Sequence, residues 1–282
     1  MLRYGTVRTR RGNDIAFAAI GPDAVDGGAP VFLVHPINMR KESWLGIVPS
    51  LARDRLCVAV DLAGHGESGD DEEFTLEGWA SDCAEVAGSL GLDRFHLVGG
   101  SLGGTIALCL AGELPSKVLS VTAMGSSIGG EPDTAGELDP AGAQGSDVTE
   151  MLASGTVEDL FAILAVEAVA PGSPASLVTT VRRLTNTHGA PIVRRILRAA
   201  QTADATARVP DVRCPVLVLT GEFDTTCTPR MGRRMAENVG GRHHLLSDVG
   251  HLPMLEDAAA VLRLLLPHLE AAEPPPAERA HA

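Results

Sequence analysis

The feature that most constrains this chain is the run Phe95-His96-Leu97-Val98-Gly99-Gly100-Ser101-Leu102-Gly103-Gly104, followed by a helix-like stretch from Thr105 to Leu114. A short buried strand that passes at once into a helix needs a sharp turn, and a serine at its apex takes up strained backbone angles. Strand and helix close on either side of it, so a Cβ two residues before or after would collide. Gly99-x-Ser101-x-Gly103 meets that demand. The turn would lift Ser101 Oγ out of a sheet and set it at a helix N-terminus, where free N–H groups favour negative charge. Taken alone, the pattern is also that of an ordinary glycine-rich turn. The rest of the chain has to decide.

Around this turn, strand-like and helix-like segments alternate. Arg3–Thr9 and Asp14–Ile20 read as an N-terminal β-hairpin, and Val31–Val34 as a buried strand ending at His35-Pro36-Ile37-Asn38. Ser43–Leu51 reads as a short helix with Ser43 as its N-cap, and Leu56–Val60 as the next strand, ending at Asp61. A glycine-punctuated loop carries Gly64-His65-Gly66, and Thr75–Leu90 is amphipathic, with Leu76, Trp79, Cys83, Val86, Ala87 and Leu90 on one stripe. After the elbow comes a strand from Val118 to Met124. Strand-helix order resumes with Pro215–Leu219, a helix over Pro229–Val239, a strand near His243–Ser247 and a helix over Asp257–Leu269.

Between these two blocks the pattern changes. Gly125–Gly145 reads as loop, and helical segments follow near Val148–Ser154, Val157–Val169, Pro174–Asn186 and Pro191–Thr202. The organisation expected is a core over residues 1–124 and 207–270, a helical insert over 125–206, and a disordered Pro-rich tail over 271–282. Repeating strand-helix units imply an α/β fold, a mostly parallel central sheet of about eight strands with helices on both faces. Functional residues in such sheets collect at the C-terminal strand ends.

Composition removes several classes of function. The formal net charge of −13 opposes binding to nucleic acid or to anionic membranes. No run of about 18 apolar residues is present to span a bilayer, and the N-terminus, with Arg8, Arg10 and Arg11, has no apolar region of the secretory kind. Cys57, Cys83, Cys109, Cys214 and Cys227 are scattered without a C-x-x-C pair, which points away from disulfides and zinc and toward a reduced, cytoplasmic setting. On these grounds no metal, nucleic-acid or membrane partner is expected; a small-molecule substrate, no cofactor and a monomer or homodimer are expected of the chain without following from composition.

The strand ends carry the chemistry. A serine hydroxyl needs a base to take its proton, and the base needs a group to orient it. His251, between the last strand and the last helix, is the candidate base; by itself it also fits a solvated or helix-capping histidine. Asp224, in Gly221-Glu222-Phe223-Asp224, is the candidate third member, with Glu222 and Asp248 as rivals. His96 reads as a core or sheet-edge residue, and His188, His243, His244, His268 and His281 as surface or packing residues. Donors for a developing oxyanion would be the N–H of Leu102 and that of Ile37, since Pro36 has none. His35 and Asn38 are candidate pocket residues, Asn38 with the alternative of holding its loop by an Asx-type bond. Arg182, Arg183, Arg194, Arg195 and Arg198 read as a solvated helix face, the sharper alternative being that one of them turns inward to a substrate carboxylate.

At this point the chain resembles the α/β-hydrolase superfamily. The likeness is carried by His35-Pro36, Asp61-Leu62-Ala63-Gly64-His65-Gly66-Glu67-Ser68, Gly99-Gly100-Ser101-Leu102-Gly103-Gly104, Gly221-Glu222-Phe223-Asp224, and Gly250-His251 with Glu256 downstream. The order Ser, acid, His is that of this architecture. The resemblance implies a serine hydrolase whose insert is a lid over the serine. Thr228-Pro229-x-x-Gly232-Arg233-x-Met235-Ala236 is similar to the enol-lactone hydrolases of aromatic catabolism. Pro36 stands where glycine is usual, and Asp224–Pro229 is one residue longer than the common spacing. A serine at the elbow departs from the related dehalogenases and epoxide hydrolases, which use aspartate. The function expected is hydrolysis of a small carboxylic ester or lactone through an acyl-enzyme on Ser101, with His251 and Asp224. The alternatives are a lyase, C–C hydrolase or perhydrolase on the same triad, and a non-catalytic binding protein.

Overall fold

A computed structural model describes residues 2–22, 28–129 and 156–273. Its centre is an eight-stranded sheet in the order β1-β2-β4-β3-β5-β6-β7-β8. The strands are β1 Leu2–Arg8, β2 Asp14–Ile20, β3 Val31–Val34, β4 Cys57–Val60, β5 Phe95–Gly100, β6 Val118–Met124, β7 Val216–Gly221 and β8 Arg242–Leu246. The β1–β2 hairpin joins β4 antiparallel, and β4 through β8 run parallel. β3, β4, β5, β6 and β7 are buried along their whole length, which is why they read as unbroken apolar runs rather than as alternating ones.

Helices cover both faces. On one, α2 (Leu76–Ser89), α3 (Leu102–Glu113) and α7 (Pro229–Asn238) bury Trp79, Ile106 and Met235 against Phe32, Val58 and Leu97. On the other, α1 (Val48–Leu51), α8 (Pro253–Glu256) and α9 (Ala258–Ala272) bury Leu51, Met254 and Leu265 against Leu33, Val98 and Leu219. Between β6 and β7 lie α4 (Val157–Glu167), α5 (Ala175–Arg183) and α6 (Ala190–Gln201), with no strand among the described residues of that stretch. The helix expected near Val148–Ser154 lies outside the described residues, as do 130–145 of the expected loop and the tail beyond Glu273.

Several boundaries differ from those expected. α3 begins at Leu102, directly after the serine, rather than at Thr105, because the glycines at 103 and 104 pack inside the first helical turn. Ser43 is no N-cap: Lys41–Trp44 is a 3₁₀ turn, and the Ser43 hydroxyl donates back to Arg40 O at 2.7 Å. Thr75 does cap α2, accepting the Gly78 N–H. α9 runs to Ala272, past the expected end of the core, and Glu273 is held at 2.9 Å by Arg55. No helix among the described residues is long and apolar enough to cross a membrane.

Candidate active site

Ser101 sits between β5 and α3 at φ 50°, ψ −124°. The flanking glycines make that turn possible. A Cβ on Gly103 would lie 2.1 Å from Val34 O, and one on Gly99 would lie 2.2 Å from Gly103 O. The Ser101 N–H donates to Met124 O at 2.8 Å, which pins the elbow to the next strand.

His251 reaches this serine from the loop after β8, its Nε2 3.0 Å from Ser101 Oγ. On the other side of the ring Nδ1 lies 3.0 Å from each oxygen of Asp224. This geometry fits a neutral imidazole that donates from Nδ1 and accepts the serine proton at Nε2. Asp224 is fully buried, and its Oδ1 also accepts the N–H groups of Thr226 at 2.9 Å and Cys227 at 2.8 Å. Burial works against a charged His251, but the charge and hydrogen bond of Asp224, with a smaller contribution from Glu256, outweigh it and raise the imidazole above its ordinary value. The two rival acids lie elsewhere: Glu222 is exposed and accepts the Asp248 N–H at 3.2 Å.

A cavity of about 320 Å³ opens onto Ser101 and His251. Its floor is Pro36, Ile37, Asn38 and Met39, and helix α4 with its C-cap Ala168 supplies Phe161, Leu164, Ala165 and Ala168. Those four positions have the i, i+3, i+4, i+7 spacing of one helix face, a signal present in the sequence. Val181, Leu197, Thr225 and Thr226 complete most of the wall and carry no signal of that kind. Among the described residues no hydrogen bond occupies the N–H of Ile37 or of Leu102, the two expected oxyanion donors.

Of the two expected pocket residues, Asn38 lines the cavity and His35 does not. His35 is fully buried behind it, donating from Nδ1 to Pro36 O at 2.7 Å and accepting the Leu62 N–H at Nε2 at 3.0 Å. It ties the loop after β3 to the loop after β4, and burial keeps it below the usual histidine value. Asn38 makes no Asx-type bond; its Oδ1 is buried without a partner, and it is its main-chain carbonyl that accepts the Asn186 N–H at 2.7 Å. None of the five clustered arginines lines this cavity. Arg195 is engaged elsewhere, forked onto both oxygens of Asp70 and lying 5.2 Å over the Phe74 ring. Among the described residues no three His, Cys, Asp or Glu side chains are grouped to hold a metal ion.

Comparison with known proteins supplies the context for this geometry. Residues 31–264 match the family model described as "Alpha/beta hydrolase family". Over 250 residues the chain is 28% identical to pimeloyl-[acyl-carrier protein] methyl ester esterase of Neisseria meningitidis, covering 86% of this chain and 93% of that one. Over 107 residues it is 35% identical to the dihydrolipoyllysine-residue acetyltransferase component of the acetoin cleaving system of Pseudomonas putida. That match covers 38% of this chain and spans only 29% of the relative's length. Among solved structures, the enol-lactonase of Burkholderia xenovorans superposes with a TM-score of 0.81 at 19% identity, over 94% of this chain and all of that one.

Proposed function

The chain belongs to the alpha/beta hydrolase family, and we propose that it is a cofactor-independent serine hydrolase acting on a small carboxylic ester or lactone. The observation that carries this reading is the unbroken chain from Asp224 through His251 to Ser101, opening onto a cavity beside two N–H groups that no hydrogen bond among the described residues occupies. The mainly aliphatic wall and a volume at the small end of the usual 300–1,000 Å³ range fit a compact acyl group.

In acylation, Ser101 Oγ attacks the carbonyl carbon while His251 Nε2 takes its proton. The Ile37 and Leu102 N–H groups stabilise the oxyanion, each such donor contributing about 10²–10³ in rate. The imidazolium, held by Asp224, then passes its proton to the leaving oxygen, which departs as an alcohol or, for a lactone, stays tethered to the acyl group. Water activated by His251 releases the acid and restores Ser101. No step needs a cofactor. The segment 125–206 is read as a lid on a core of 1–124 and 207–270, with Phe161 and Val181 shaping the acyl site.

An ester substrate is supported by the esterase relative, which is matched over 93% of its own length. Turnover of a panel of short-chain esters and lactones tests it. The wild-type protein should hydrolyse members of the panel, and Ser101→Ala should lose at least about 10³-fold in kcat with an unchanged circular dichroism spectrum. Full activity in Ser101→Ala would overturn the assignment.

A further inference from the structure

Glu256 lies outside the triad yet grips it from both sides. Its Oε2 accepts the N–H of Gly250 at 2.8 Å, and its Oε1 accepts that of Leu252 at 2.9 Å, so one carboxylate bridges the two neighbours of His251. The same Oε2 accepts a third N–H, that of Ala170, at 2.8 Å. Ala170 follows the C-terminal end of α4, the helix whose Phe161, Leu164 and Ala165, with the C-cap Ala168, wall the cavity. A main-chain bond reinforces the join, with His251 N–H donating to Ala168 O at 2.8 Å. The two segments touch without a gap: a Cβ on Gly250 would lie 2.7 Å from Ala170 N.

We propose that Glu256 is a positioning residue that couples the seating of α4 over the cavity to the placement of His251, so that the base is aligned with Ser101 only while the insert is in place. An ionised carboxylate accepts all three N–H groups at once, with the added strength of charged hydrogen bonds. A glutamine there has one acceptor oxygen and turns an NH₂ toward backbone donors. The cost falls on alignment, since displacement of a reacting group by about 1 Å is enough to lose about 10²-fold in rate. Charge adds a second handle. The carboxylates facing His251 are Asp224 from the loop after β7 and Glu256 from α8, with Glu167 of α4 at the exposed rim of the cavity. Removing the Glu256 charge leaves the imidazolium less supported. The proposal rests on the serine-hydrolase reading, but not every arm of its test does.

Glu256→Gln is compared with the wild type in three ways. The expected result is a fall of about 10–100-fold both in kcat and in the rate of Ser101 labelling by a fluorophosphonate, with KM changed by less than about 3-fold. The inflection of kcat/KM against pH should also move to lower pH, which a purely structural loss would not do. Wild-type kcat together with an unmoved pH profile would overturn the proposal. Amide hydrogen exchange in the wild-type protein stands independently of activity and of the variant's folding. The amides of Ala170, Gly250, His251 and Leu252 should exchange as one group. Separate and faster exchange at Ala170 would overturn the coupling to the insert, whereas absence of wild-type labelling would overturn the serine-hydrolase reading instead.

Discussion

Asp224 presents both carboxylate oxygens to His251 Nδ1 at the same distance, 3.0 Å, from a fully buried site. Two further N–H groups fix the acid, so it cannot follow the imidazole if the ring turns. Asp224→Asn places an amide where the acceptor must be and favours the wrong tautomer. It is expected to lose about 10⁴-fold in kcat while the protein stays folded, which steady-state kinetics and circular dichroism will check.

The raised value of His251 sets the pH dependence. The base works as neutral imidazole, so kcat/KM should rise with pH through an inflection above the ordinary histidine value of about 6.5. Stability runs the other way. The His251–Asp224 pair contributes fully below the unfolded histidine value, and that contribution is lost as pH rises through the raised folded value. In Asp224→Asn the inflection in kcat/KM should fall. A pH–rate profile of both proteins decides it.

Gly103 gives the elbow its space. With Val34 O and His35 O at 2.1 and 2.7 Å from an added Cβ, backbone has to move in Gly103→Ala. The expected loss is about 3 kcal/mol or more, the upper part of the range for overpacking, and thermal unfolding should show it as a drop of roughly 6–12 °C. A variant with wild-type Tm would contradict the packing described.

His35 should behave as a structural residue. His35→Ala leaves the Leu62 N–H without its acceptor, at a cost of about 1–3 kcal/mol. Tm should fall, while KM for any turned-over ester changes by less than the factor of 10 that about 1.4 kcal/mol of lost binding would bring. A large rise in KM with unchanged Tm would restore it to the pocket.

The sequence carried some of this architecture plainly and some of it not at all. Buried parallel strands such as β3 and β4 announce themselves as short apolar runs, and their C-terminal ends are where Asp61, Ser101 and Asp224 stand. The glycines at 99 and 103 had a steric meaning readable in advance. Sequence does not place the ring of His35, because its position at a strand end is the same whether the ring turns toward the cavity or behind it, and only the packing of the loop after β4 decides that. Ser43 has a capping side chain, but Gly46 and Pro49 divide the segment into two short turns, and local propensity does not rank those options. The role of Arg195 depends on Asp70 and Phe74, more than a hundred residues away in sequence, as the three amides around Glu256 depend on the path of the insert.

Phe161 is the one aromatic side chain in the segment 125–206, and it borders the cavity. Phe161→Ala enlarges the space above Ser101. The ester chain length giving the highest kcat/KM should shift upward by at least two carbons, at about 0.8 kcal/mol of burial per added methylene. An unchanged chain-length profile would place the acyl group elsewhere.

Whether Ser101 is the activated nucleophile is read from the intact mass of the protein after exposure to a fluorophosphonate, followed by peptide mapping. A working triad gives a single adduct, on Ser101, formed in the wild type and suppressed in the variants lacking His251 or Asp224. A well-folded sample with no adduct, or with the adduct on another residue, would contradict that role for Ser101.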